Sequence, residues 1–484
     1  MKKVLASILT LVMALSLFAC GGKGGEEKES GNESESVATG KFMVGYGEAD
    51  ITPTESVPLA GYGNTEQRMS LGMYTYLKTT CAAITDEAGT TILIFGNDLI
   101  RSYGPDDVDW YSAVSEATGV PEGNIIFNGS HTHSGPDIGN KNMPVIGRYE
   151  KFLSERLVEA AQMALNDRAE AKMYMTRTTV KDMNFQRHFV LADGTKTGYS
   201  TSSDNPAVGY AGYKDETMQL LKFGRKELNA EKKDIILTNW QGHNHRSGSQ
   251  KDLNISADVA SVYRDTVNKA LDCQMIYING ASGNSNFSTP ITADNVTKDF
   301  KEQGKALGQY AIDAAPSFKE INVGKIQIDT FEYELQIDHS MDGLIEGART
   351  VNEYWKQTND IAATKAYGKP YGINSPYHAG KIVAAVSKPA TKKVQMTVCN
   401  MGDFAFGTFP GEMFAKGGMN VKENSPFEMT FFVGYSNGSN GYFPTEDAYE
   451  YVGYETDVTT FVKGCAETVT NDMVKKLQEL FATK

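Results

Sequence analysis

Short apolar runs that break into polar, glycine-rich turns constrain this chain's fold more than any other feature. Ile125-Ile126-Phe127 runs into Asn128-Gly129-Ser130-His131-Thr132-His133-Ser134-Gly135-Pro136. Residues 234–240 end in Gln241-Gly242-His243-Asn244-His245, residues 274–278 in a turn ending Asn284-Ser285-Asn286, and residues 428–433 in Gly434-Tyr435-Ser436-Asn437-Gly438. Runs of this kind read as buried strands. Residues 172–180 read as another strand, 74–85 and 90–99 as a hairpin around Asp86-Glu87-Ala88-Gly89, and 392–399 with 404–409 as a second hairpin. Between them, residues 149–167 carry apolar side chains at 152, 153, 157, 160, 161, 164 and 165, the spacing of an amphipathic helix. Residues 256–271, 298–315 and 343–356 read as helices, and 459–481 as a closing helix with Gly464 inside it. Residues 189–212 read as one long loop. The alternation predicts an α/β fold of layered mixed β-sheets flanked by helices, with polar loops at strand ends where such folds place their sites.

Length alone allows roughly three domains at about 150 residues each, but no internal repeat or second linker divides residues 41–484, which are expected to form a single large domain. The net charge of −13 argues against nucleic acid as a partner. Residues 1–19 read as a signal peptide: a basic start, Met1-Lys2-Lys3, then an apolar stretch too short for a confident membrane span. The stretch ends in Leu17-Phe18-Ala19-Cys20, a pattern like a bacterial lipobox, with an ordinary secretory signal or anchor as the alternative. Residues 20–40 are then a lipidated Cys20 and a flexible tether rich in Gly, Glu and Ser. The expectation is an extracytoplasmic protein anchored to a bacterial membrane as a lipoprotein. Cys81, Cys273, Cys399 and Cys465 are scattered, which argues against a cysteine metal site and favours buried free thiols.

Four of the seven histidines stand in two His-x-His pairs at strand ends. Residues two apart in an extended segment face one side, so His131 and His133 are expected to point into one cleft. Imidazole is a common zinc ligand, and a catalytic zinc usually has three protein ligands plus water. A shared metal site is the favoured explanation for the pairs. The HExxH pattern of zinc proteases is absent. Glu412, after Pro410-Gly411, could be a ligand or a surface turn residue, and alone it favours the turn.

Five segments, in order, resemble the neutral ceramidases (the neutral/alkaline non-lysosomal type). They are Val44-Gly45-Tyr46-Gly47-Glu48-Ala49-Asp50-Ile51-Thr52-Pro53, His131-Thr132-His133-Ser134-Gly135-Pro136, Asn239-Trp240-Gln241-Gly242-His243, Phe409-Pro410-Gly411-Glu412 and residues 437–445 with Tyr442. The resemblance implies a zinc ion held by His131, His243, Glu412 and Tyr442. It implies His133 as a substrate- or proton-handling neighbour and Arg187 near the substrate, with a surface salt bridge as the alternative for Arg187. His245 matches less well, and His188, His339 and His378 are expected to be structural. The implied reaction is hydrolysis of the amide bond of an N-acyl small molecule or lipid. Zinc would lower the pKa of water towards ~7, Tyr442 would stabilise an oxyanion, and an imidazole would pass a proton to the leaving amine.

The chain departs from that family at two residues and at its end. Asn286 stands where the family carries a serine, flanked by Ser285 and Ser288, and Asn284 replaces an aspartate. No C-terminal β-sandwich domain is expected. These departures put ceramide itself in doubt as the substrate. A solute-binding lipoprotein without catalysis and a zinc hydrolase acting on an ester are the competing expectations.

Overall fold

The computed structural model describes residues 40–484 apart from 64, 105–106, 200–202, 227, 230 and 288–298. The expected signal peptide, Cys20 with all but the end of its tether, and Ser288 lie outside the described residues. A nine-stranded mixed sheet forms the larger layer. Its order is Cys273–Asn279, Asp234–Trp240, Thr217–Arg225, Ala169–Thr179, Met43–Asp50, Lys78–Thr85, Thr91–Asn97, Ile125–Gly129, with Lys319–Ile321 added against Ala169–Thr179. A second sheet runs Ile326–Gln336, Thr391–Met401, Phe404–Thr408, Met429–Val433.

Period-two alternation divides each sheet between two cores. Ala82, Ile84, Ile92, Ile94 and Ile126 pack with Cys399, Met401, Phe404, Phe406 and Phe431 of the second sheet. Their neighbours Cys81, Ala83, Leu93, Phe95 and Phe127 face away, against Trp110 and Tyr111 of helix Trp110–Thr118 and Leu153 and Leu157 of helix Pro144–Asn166. Met396, Val398 and Phe432 on the far side of the second sheet pack on Val469, Met473 and Leu477 of helix Cys465–Ala482. The result is helices, sheet, sheet and helices, the layered α/β arrangement that the alternating pattern predicts.

Strand Met43–Asp50 carries glycines for a steric reason. A Cβ on Gly45 would lie 2.1 Å from Ala164 O, and one on Gly47 2.1 Å from Ala160 O, so helix Pro144–Asn166 could not approach. That accounts physically for the spacing Val44-Gly45-Tyr46-Gly47.

Several expectations need correction. Residues 189–212 are not one loop: Phe189–Leu191, Lys196–Thr197 and Ala207–Tyr210 form a small three-stranded sheet. The closing helix begins only at Cys465, because Gly464 holds φ of 85° and ends the preceding turn. The strand expected from residue 74 begins at Lys78. Cys81, Cys273, Cys399 and Cys465 are buried and free. Among the described residues no helix is long and apolar enough to cross a membrane.

What positions the site is parallel pairing. Thr91–Asn97 runs parallel to Ile125–Gly129, Asp234–Trp240 to Cys273–Asn279, and Phe404–Thr408 to Met429–Val433. Each pair brings two strand C-termini to one edge, where ligands bind in open α/β sheets.

Candidate metal centre

Buried asparagines tie these strand ends together. Asn128 Nδ2 donates to Gly434 O at 2.5 Å, while Asn128 Oδ1 accepts from Asn279 N at 2.9 Å. Asn279 Nδ2 and Asn244 Nδ2 both donate to Ser130 O, at 3.0 and 2.6 Å. Asn437 Oδ1 accepts from Phe127 N at 3.1 Å. A buried amide with both ends satisfied fixes position as well as stability.

His131, His133 and His243 are buried together, and their nearest ring nitrogens all lie within 4.8 Å of one another. His131 and His133 do converge, with ring centroids 4.8 Å apart, though by a different route from the extended spacing expected. His131 holds φ of 67°, a left-handed conformation rare outside glycine, so the chain turns at this residue.

His131 Nδ1 donates to Ile100 O at 2.6 Å and His243 Nδ1 to Ser282 O at 2.7 Å. Each tautomer is thereby set with a bare Nε2 lone pair. Both Nε2 atoms face Glu412 Oε2, at 3.5 Å from His131 and 3.3 Å from His243. His243 Nε2 and Glu412 Oε2 are buried without a hydrogen-bond partner. Burial first, and the neighbouring His243 imidazole second, push His131 well below its ordinary pKa of 6.5, so its ring is neutral. His243 is likewise depressed, by burial and then by Arg187. Acceptors therefore face an acceptor across a gap that a cation would satisfy. The nitrogen and carboxylate donors suit a transition-metal ion of zinc type.

Tyr442 is brought to the same place by a parallel bridge that sets it beside Glu412. Its ring lies parallel to that of His243 at 6.5 Å. The four residues that the resemblance assigns to a metal thus converge from separate strand ends, and His133 joins them, its Nε2 3.2 Å from that of His131. His245 stands one step back, its ring centroid 5.6 Å from that of His133.

Arg187 is not a surface salt bridge. It pairs at 2.7 Å with the buried Glu455, donates to Gly283 O and lies over the Tyr442 ring at 5.5 Å. Burial opposes its charge, but Glu455 and Tyr442 outweigh burial and keep it above its ordinary value. Glu455 also meets His188 Nε2 at 3.3 Å, and His188 Nδ1 meets the Tyr451 hydroxyl at 2.7 Å. His188 thus shares with Arg187 the carboxylate that anchors the guanidinium. His339 and His378 have local partners, Asp342 and the Asn374 backbone.

Sequence reasoning missed Glu455 and Tyr435. The Tyr435 ring packs 4.2 Å from His131 and its hydroxyl meets Ser282 Oγ at 2.7 Å. Tyr435 follows Gly434 at a strand end, so the polar-turn pattern marked its position. Ser285 is turned to Gln186, whose Nε2 donates to it at 3.1 Å. Asn284 Oδ1 accepts from Ala415 N at 2.9 Å and so caps helix Ala415–Asn424 from another segment.

A cavity of about 250 Å³ opens onto the cluster, lined by His131, His133, Glu412, Tyr442, Tyr454 and Arg101 among others. Gly61 holds φ of 94° on its wall, and a Cβ there would lie 2.3 Å from His133 Cγ. Gly61→Ala is expected to displace His133 and lower turnover with little loss of metal, measured as activity against metal content.

The fold and cluster define a layered α/β protein with a buried histidine–carboxylate centre. Its architecture is that of the neutral ceramidases. The structure resembles neutral ceramidase from Pseudomonas aeruginosa, with a TM-score of 0.65 and 16% identity over 91% of this chain and 74% of that one. It resembles a ceramidase complexed with C2 equally, at 0.65 and 16%, over 91% of this chain and 75% of that one. The sequence matches no protein-family model and no curated protein.

Proposed function

We propose that the protein is a zinc-dependent amidohydrolase that cleaves the amide bond of an N-acyl substrate. The observation that carries this reading is the convergence of His131 Nε2 and the unpartnered His243 Nε2 on the unpartnered Glu412 Oε2. His131, His243, Glu412 and Tyr442 would hold the ion, with His133 at its side. When bound, zinc supplies Lewis acidity to a carbonyl oxygen and makes water a stronger acid.

The chain's own residues account for the rest. His133 Nδ1 is buried without a partner, and its ring is held neutral by burial and then by His131, so it can take a proton and return it to a leaving amine. Arg187 fixes the Tyr442 ring and adds positive charge where an oxyanion forms. Hydrolysis adds water across the C–N bond, leaving oxygen on the acyl carbon and hydrogen on the nitrogen. The similar solved proteins are ceramidases, which supports an N-acyl lipid as one substrate class. The leader-like residues 1–20 support an extracytoplasmic site tethered through a lipidated Cys20.

The test is amine release from an N-acyl amide panel by the full chain, with and without zinc and with a chelator. Zinc-dependent release supports the proposal. Cleavage of esters without any liberated amine would replace it with the ester alternative, and ligand binding without turnover would leave the solute-binding alternative.

The depressed histidines also set a pH dependence. Unfolded imidazoles take protons below about 6.5 while the buried ones resist them, so the unfolded state binds more protons there. Stability of the metal-free protein is expected to fall as pH drops below about 6.5 and to level off above it, as read from denaturant midpoints.

A further inference from the structure

The cavity over the histidine cluster has one charged wall that amide hydrolysis alone does not use. Arg101 lines it, as do Thr65 and Tyr62. It follows Ile100, whose carbonyl holds His131, so its backbone is anchored at the metal side of the cavity. Its Nη1 donates to Ser439 Oγ at 2.8 Å, which fixes one edge of the guanidinium. Among the described residues no carboxylate forms an ion pair with it. Two other arginines near these strand ends differ: Arg187 holds Glu455 at 2.7 Å and Arg264 holds Asp98 at 2.8 Å. Asp137 lines the same cavity without pairing to Arg101, and it disfavours an anion seated away from the guanidinium.

A guanidinium has five donors and a fork that matches a carboxylate. Serine takes one of these donors, which leaves others for a ligand. The cavity, about 250 Å³, is also compact, below the ~300–1,000 Å³ of typical small-molecule pockets.

We propose that Arg101 recognises a carboxylate in this site, and that the preferred ligand is a compact amide bearing an acid group. The acid lies either on the amine side, as in an N-acyl amino acid, or on the acyl side, as in a monoamide of a dicarboxylic acid. The identity of the bond broken rests on the amidohydrolase reading; the recognition of the acid does not.

Isothermal titration of the full chain separates the two. The probes are N-acetylglycine, N-propylsuccinamic acid and neutral N-acetylethanolamine, each against the wild type, R101M and R101K. A charge-assisted pair predicts about 10- to 100-fold tighter binding of at least one acid than of the neutral amide. R101M should erase that preference without changing the neutral amide, and R101K should keep part of it. Unfolding midpoints equal to the wild type show that the variants fold. Preference for the glycine compound places the acid on the amine side, and preference for the succinamic compound places it on the acyl side. Equal binding of all three probes to the wild type, or an undiminished preference in R101M, overturns the proposal. Preferred binding with no amine released from any probe would instead refute the amidohydrolase reading and leave Arg101's role standing.

Discussion

Replacing His243 by alanine is expected to lower amide turnover by about a thousandfold or more while the fold survives, the scale at which a metal's charge stabilisation is lost. Its Nδ1 is spent on Ser282 O, and its Nε2 is fully buried opposite Glu412. Alanine removes the lone pair and leaves Glu412 with one imidazole instead of two. Metal affinity should fall together with kcat, whereas loss of a purely substrate-binding group would raise KM first. Glu412→Gln should follow the same pattern more weakly, because an amide oxygen still offers a neutral donor to the ion. Steady-state kinetics with bound metal measured in parallel checks both variants.

The second large effect falls on stability. Glu455→Ala should cost about 3–5 kcal/mol, because removing one partner of a buried ion pair strands the other charge. The stranded group is Arg187, whose side chain is 19% exposed and whose carboxylate partner is 2% exposed. His188 and Tyr451 lose their anchor in the same change. A double substitution, Arg187→Met with Glu455→Leu, removes both charges and should recover much of the stability. It should not recover activity, since Tyr442 would lose the guanidinium over its ring. Denaturant midpoints of the single and double variants, with activity alongside, separate the two effects.

How much of this was legible in the sequence follows the range of each signal. The strand ends were legible because an apolar run that breaks into Asn, Gly and Ser marks both burial and a turn. His131 and His243 stand at two such breaks, and Glu412 and Tyr435 at others. That they meet was not legible from local pattern, since parallel pairing between Asp234–Trp240 and Cys273–Asn279 is a property of the whole sheet. Glu455 was invisible for the same reason. It lies 268 positions after Arg187 in a five-residue helix, Tyr454–Val458, with no periodic signal.

Strand Ile326–Gln336 was missed because its side chains are mostly half-exposed, which blurs the alternation on which strand reading depends. The closing helix was drawn too long because its apolar spacing runs through Gly464, and only the backbone at that residue shows the break. The buried asparagines sat in plain view as polar turn residues. Their second role, tying strand ends together, depends on partners up to 310 positions away, as between Asn437 and Phe127.

The central claim is that His131, His243, Glu412 and Tyr442 form a metal site. Elemental analysis of the purified full chain tests it most directly, after exposure to zinc and removal of free ions. The expected result is one zinc per chain in the wild type and none in the His131→Ala, His243→Ala double variant. A wild-type chain that retains no stoichiometric metal would contradict the claim, whatever activity it showed.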